Sequence, residues 1–458
     1  MTEPLWAVSP LDGRYAGRTA PLREYASEAA LMRARARVEV EYLIALAELE
    51  ATPVAIDEGE AGRLRSLYEE FDDADAQVIK AIETDGHGDV PATNHDVKAI
   101  EYWLREHADE RLHPWIHFGL TSEDVNNLAY RLLVRGAIEN VLRPAIAEVR
   151  AELATLAERH RDLPMLAHTH GQPATPTTFG KEMAVYAARL DRTAGELDRA
   201  VRELSGKLAG ASGTYAAHAA AYPAVDWPAF AREFVDGLGL EHVPLTTQVN
   251  PCDDLAAVFD ACCRVNGVLV DLARDAWLYV SKRYLGQRAS EGEVGSSTMP
   301  HKVNPIDFEN AEGNLSKATS DLRFLAEYVT SSRLQRDLSD STVKRNIGSA
   351  FAYSLLGATK TRDGLRSVTP NEAVTARDLE ETPAVLAEAI QTVLRREGDP
   401  DAYERLKDLT RGAEELTVED VRAFVDELDV DESVREELRA LEPATYVGVA
   451  DALVDELE

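Results

Sequence analysis

Cysteine and lysine are scarce in this 458-residue chain, at 3 and 10. Cys252, Cys262 and Cys263 form no CxxC pair and no spacing with histidine that would build a metal site. Cys262 and Cys263 are adjacent in an apolar helical run, where a small buried thiol serves packing. No run of about 18 apolar residues occurs, which argues against a membrane span. The opening MTEPLWAVSP lacks a basic segment followed by an apolar core, which argues against a secretory leader and leaves the cytoplasm as the expected compartment. No Walker A sequence is present, and no GxGxxG follows a strand, so phosphate cradles of those kinds are missing. Convincing alternating strands are few as well.

Acid dominates what is there. Asp and Glu number 81 against 49 Lys and Arg, a net charge of −32. Such a surface repels nucleic acid and anionic membrane, which argues against both as partners. With 10 lysines among the 49 basic residues, 39 are arginine. An acidic surplus with little lysine fits adaptation to high salt, where screening makes a dense negative shell tolerable. A GC-rich genome favouring arginine would leave the same mark. Hydrophobic residues make up 45%, ordinary for a water-soluble globular chain of about three domains.

Helical periodicity runs through most of the sequence. Leu31, Val38, Tyr42, Leu43 and Leu46 recur mostly at three- and four-residue steps and predict one long helix over 21–50. Further long helices are expected over 126–161, kinked at Pro144, and over 181–208 and 254–284. Gly, Ser and Pro clusters at 210–213, 222–227, 292–297 and 369–371 punctuate them. After Pro370 the composition shifts to short acidic helices. These shifts place boundaries near 112 and 366, giving segments 1–111, 112–365 and 366–458. An all-α fold built on an extended bundle is the expectation.

Five motifs carry chemistry. Residues 295–305 read GSSTMPHKVNP, where Pro300 and Pro305 exclude a helix interior and leave a loop bearing hydroxyls and a cation. His170 lies in a polar Gly/Pro stretch, where backbone groups can hold a histidine as acid or base; a plain surface histidine is the alternative. His168 is two residues away, but no Cys, Asp or Glu stands at ligand spacing, so a metal site is not expected. Asn94 reads as the cap of a helix over 97–107, with His95 and Asp96 in its first turn. Capping accounts for Asn94 and Asp96 but leaves His95 unexplained. Thr121-Ser122-Glu123-Asp124 reads as an ordinary helix start. The arginine- and hydroxyl-rich run 335–346 could hold an anion in forked geometry or simply form intrahelix ion pairs.

In order, NHDVK, TSED, THGQPATP, TTQ, GSSTMPHKVNP and QRDLSDSTVKRN resemble the adenylosuccinate lyase family, within the fumarase/aspartase superfamily, over essentially the whole chain. The resemblance implies a three-domain helical fold, long central helices shared across a homotetramer, and active sites built from three subunits. It implies elimination of fumarate from adenylosuccinate and from the succinyl-carboxamide intermediate of purine synthesis, with no metal or organic cofactor. Ser296 would be the base and His170 the acid. Lys302, Ser297 and Asn304 would hold the carboxylates. Arg14, Tyr15, Arg336 and Ser341, Thr342 and Arg345 would bind the phosphate or succinyl end. Asn94, His95, Asp96, Thr121, Ser122 and Gln248 would complete the pocket. Three departures stand out: His168 where relatives commonly carry Arg, an insertion over 86–91, and VNPCDD after Gln248. Another lyase of the superfamily, such as an argininosuccinate lyase, and a non-catalytic protein on the same scaffold are the alternatives.

Overall fold

The computed structural model describes residues 4–288, 299, 302–412 and 416–457. Its main helices are α1 (Glu28–Ala47), α2 (Asp96–His107), α3 (Ser122–Ala137), α4 (Arg143–Arg159), α5 (Phe179–Arg202), α6 (Asp253–Ser281), α7 (Ile306–Val329), α8 (Ser339–Lys344) and α9 (Ile347–Ser367). The strands described are short: β1 (Pro164–Thr169) with β2 (Gln172–Thr178), β3 (Ser205–Gly206) with β4 (Glu241–His242), and β5 (Leu285–Gln287) with β6 (Val368–Pro370). The fold is mostly helical, as the periodicity predicts.

Local chemistry sets the boundaries. The helix expected over 21–50 breaks at Ser27, which adopts extended backbone and accepts the Ala30 N–H on its hydroxyl at 3.0 Å. That cap starts α1 anew. The kink expected at Pro144 is a single wide π-turn, Ile138–Leu142, between α3 and α4. Arg143 donates its N–H to the Ile138 carbonyl, five residues back. The wider turn gives the proline ring, which cannot donate and crowds the preceding turn, the room it needs.

The chain divides into two compact units. Unit 1 comprises residues 1–146, 193–267 and 313–358. One of its cores gathers Val40, Leu43, Ile79, Ile82, Ile100 and Trp103, each nearly solvent-free. Burying each such side chain contributes roughly 1.5–3 kcal/mol. Unit 2 comprises residues 147–192, 268–312 and 359–458. Its C-terminal core joins Leu386, Ile390, Leu394, Leu406, Val421, Val425 and Leu438 from the short acidic helices expected there.

The stretch expected to be a polar loop around His170 is the tip of the β1–β2 hairpin. Thr169 pairs with Gln172, so His170 and Gly171 form a two-residue turn. Both have positive φ, +55° and +73°, the pattern of the primed turns that match strand twist. Buried Met165 and Leu166 on β1, with Thr177 and Thr178 on β2, seat the ribbon. Pro173 and Pro176 are tolerated because each strand of a two-stranded ribbon has a free edge.

Candidate active site

In unit 1 the anion-binding candidates converge on the starts of α2 and α3. His95, not Asn94, caps α2: its Nδ1 accepts the Lys98 N–H at 3.1 Å. Asn94 instead takes the left-handed conformation at φ +48°, which Asn tolerates better than most residues. The capping function therefore explains the residue that sequence reasoning could not place. With Nδ1 accepting, Nε2 carries the proton of the neutral ring, on a side chain that is 52% exposed. The segment 86–91 helps to fix this corner. His87 and Val90 exchange backbone hydrogen bonds at 2.9 Å, and Asn94 N–H reaches the Glu83 carbonyl at 2.9 Å.

Asp96 is gripped by Arg35, whose Nη2 lies 2.7 Å from Oδ2. Burial pushes this carboxyl's pKa up, but the Arg35 charge and hydrogen bond and the Val97 N–H outweigh it and hold it below the usual range. Arg345 Nη2 lies 3.7 Å from the same oxygen, and Arg35 Nε donates to Asn126 Oδ1 at 2.8 Å. Arg35 is itself buried. Sequence reasoning missed it. The available signal was a charged residue in phase with Leu31, Val38 and Tyr42 on the inward face of α1.

Thr121 to Asp124 begin α3 as expected, with Thr121 N–H donating to Asp124 Oδ2 at 2.9 Å. The acids are not surface ornaments. Asp124 is fully buried, 2.7 Å from the equally buried Lys207 Nζ, and accepts the Ala209 N–H at 2.9 Å. Glu123 is buried too. Its Oε1 lies 3.4 Å from Lys344 Nζ and its Oε2 lies 3.5 Å from Arg336 Nη2.

Of the two readings left open for the run 335–346, the intrahelix ion pair is formed by Lys344. Lys344 is buried and pairs with Asp340 at 2.6 Å, an i,i+4 bond within α8. Burial disfavours its charge, but Cys252, Glu123 and Asp340 outweigh that and raise its pKa above the usual value. Arg336 donates from Nη1 to Gln248 Oε1 at 3.0 Å, and Gln248 Nε2 donates to the Ala211 carbonyl at 2.8 Å. Ser341 is half-buried, while Thr342 and Arg345 are exposed. Arg345 borders a cavity of about 210 Å³ with Ser9, Leu11, Asp12, Thr19 and Arg23. Exposed Arg14 and half-buried Tyr15 follow on that N-terminal segment, but neither hydrogen bonds to nor pairs with the cluster among the described residues. Ser122 is half-buried beside Glu123.

Unit 2 holds the residue expected to act as the acid. His170 is exposed at the hairpin tip. His168, at the first departure, is half-buried, and burial followed by the Lys282 charge lowers its pKa below the usual value. Lys302 is exposed and Asn304 half-buried. Gln287 Nε2 donates to the Val303 carbonyl at 2.8 Å, tying this stretch to β5 before α7 begins. Ser296 and Ser297, together with most of the GSSTMPHKVNP loop, lie outside the described residues. The third departure sits in unit 1: Cys252 is buried at φ +63°, and Asp254 takes two hydrogen bonds from fully buried Arg131 at 2.8 and 2.9 Å.

Comparison with known proteins places the chain by family and fold. A family model described as Lyase matches residues 13–319. The structure resembles a fumarate lyase from Mesorhizobium sp. BNC1, with a TM-score of 0.75 at 22% identity, covering 96% of this chain and 97% of that one. It also resembles a 3-carboxy-cis,cis-muconate lactonizing enzyme from Pseudomonas putida, with a TM-score of 0.73 at 21% identity and 96% of each chain covered. Fold and family model thus define a helical lyase of the fumarase/aspartase type. A second model, described as Adenylosuccinate lyase C-terminal, matches residues 332–447. Adenylosuccinate lyase from Dictyostelium discoideum is 45% identical over 459 residues, 97% of both chains. That of Escherichia coli K12 is 44% identical over 465 residues, 99% of both. The chain belongs to the adenylosuccinate lyase family.

Proposed function

We infer that the chain eliminates fumarate from adenylosuccinate, giving AMP, and from the succinyl-carboxamide nucleotide SAICAR, giving AICAR, in purine nucleotide synthesis. The observation that carries this reading is identity of 44–45% sustained over 97–99% of the chain. Ser296 removes the Cβ proton of the succinyl group, and His170 protonates the departing nitrogen. Loss of that proton beside a carboxylate builds a doubly charged intermediate, so cations and backbone N–H donors must converge on it. Lys302, with Ser297 and Asn304, supplies that convergence. A serine is a weak base at its free pKa and needs surroundings that stabilise its alkoxide. His170 suits its role because the turn that carries it is shaped by backbone alone and leaves the ring exposed.

Arg336, Arg345, Ser341 and Thr342 meet the anionic ends of the substrate, with Arg14 and Tyr15 contributing from the N-terminal segment. Asn94, His95, Asp96, Thr121, Ser122 and Gln248 complete the pocket. No metal or organic cofactor enters this chemistry. The working form is a cytoplasmic homotetramer with sites shared between subunits. Apolar residues on the long helices, Val185 on α5 and Trp277 and Leu278 on α6, are 41–49% exposed and call for cover. The −32 charge and the arginine bias suit a saline cytoplasm.

Incubating the purified protein with adenylosuccinate tests the reading. AMP and fumarate should appear in equal amounts; the appearance of neither rejects it. Activity and oligomer size measured from low to molar KCl test the salt reading, which fails if both are indifferent to salt.

A further inference from the structure

We propose that Glu123 is the positioning residue of the anion site, its buried carboxylate fixing Arg336, and through it Gln248, in the orientation that meets the substrate. The proposal rests on the placement of Arg336 at the substrate argued above. Glu123 is 2% exposed in the first turn of α3, where the Thr121–Asp124 hydrogen bond and the Asp124–Lys207 pair hold the backbone still. The backbone on either side of Arg336 is held by the Thr247 hydroxyl on the Gln335 carbonyl at 3.0 Å and by the Asp337 N–H on Ser332 at 3.1 Å, which leaves its long side chain to be oriented by other partners. Arg336 lies outside any helix or strand, in a segment where Leu334 has φ +52°. Its side chain is 19% exposed, so its guanidinium is largely withdrawn from water.

Among the described residues, two contacts orient that guanidinium: Glu123 Oε2 at 3.5 Å and Gln248 Oε1 at 3.0 Å. The two carboxylate oxygens of Glu123 have separate tasks. Lys344 already has Asp340 at 2.6 Å, closer than Glu123 Oε1 at 3.4 Å. Oε2 therefore serves Arg336. The buried set balances, with Glu123 and Asp340 against Lys344 and Arg336. Replacing Glu123 with its neutral isostere leaves Lys344 paired and leaves Arg336 with only an amide. A planar donor that must meet a carboxylate or phosphate in forked geometry loses its alignment when its counter-ion is removed.

KM and kcat for adenylosuccinate in Glu123→Gln, Arg336→Ala and the double variant, together with Tm, test the idea. Glu123→Gln should raise KM about tenfold with kcat changed less than about threefold, the signature of lost binding common to ground and transition states. In the Arg336→Ala background the same change should add less than about twofold, because residues acting through one contact do not act additively. A packing role alone would lower Tm and leave KM in place. If Glu123→Gln does not fold, Glu123→Asp keeps the charge but withdraws it by one methylene, and should raise KM a few-fold with the same dependence on Arg336. Unchanged KM, or equal factors in both backgrounds, overturns the proposal. Unchanged KM in Arg336→Ala itself would instead overturn the placement of Arg336 at the substrate, an outcome this variant reports by itself.

Discussion

Around Glu123, carboxylates and cations hold one another inside unit 1; at the β1–β2 tip, His170 stands exposed on two residues whose shape comes from the backbone. The first region is organised before any ligand arrives: Arg336 and Lys344 share Glu123, while Arg35 and Arg345 share Asp96. Buried charges tolerate little change, because each is stable only with its partner in place. The second region depends on turn geometry and leaves its side chain available. The difference teaches where a substitution should cost stability and where it should cost only turnover.

Breaking the first region should give the largest effect. Lys344→Met removes the cation between two buried carboxylates and should destabilise unit 1 by about 3–5 kcal/mol in a denaturant titration. A loss below about 1 kcal/mol would mean that the cluster is wetter than its burial implies. His170→Ala should lower kcat by roughly 10²–10⁴-fold, while circular dichroism and Tm stay unchanged because the ring is exposed. A matching fall in Tm would erase the contrast between the two regions. Gly171→Ala is milder. No atom lies within 4 Å of the added methyl, so the cost is the positive φ of +73° alone, about 1–2 kcal/mol of local hairpin stability, read as faster amide exchange in β1 and β2.

The smallest effect is one of pH. Burial disfavours the charged ring of His117, but Glu39, 2.5 Å from Nδ1, outweighs that and raises its pKa. A raised histidine stabilises fully below its unfolded value of about 6.5, and the contribution is lost as pH climbs through the folded value. Unit 1 should therefore lose stability as pH rises above about 6.5, and His117→Gln should flatten that slope. A slope unchanged in the variant would assign it to other groups.

Much of this was legible in the sequence, though unevenly. The helical fold followed from periodicity, and the start of α3 from the spacing of Thr121 and Asp124. The motifs picked out His170 and Arg336. The hairpin escaped because two prolines and a glycine read as loop, and strand pairing is non-local. His95 was singled out but its capping escaped, because the ring nitrogen of a histidine can replace the usual oxygen of a cap, and propensity ranks Asn first. Lys344 read as one more cation in a basic run; its burial between Glu123 and Asp340 depends on contacts some 220 residues apart in one case. Arg35 was hidden for a similar reason, since its partners Asp96 and Asn126 lie 61 and 91 residues away.

The central claim is a division of labour: the Glu123–Arg336 region binds, and His170 reacts. Calorimetric titration of the slowed His170→Ala variant with adenylosuccinate addresses it most directly, because binding is then read with little turnover. The account predicts that this variant still binds, and that adding Arg336→Ala weakens binding by at least about tenfold, or roughly 1.4 kcal/mol. Loss of binding in His170→Ala alone, or binding indifferent to Arg336, would contradict it.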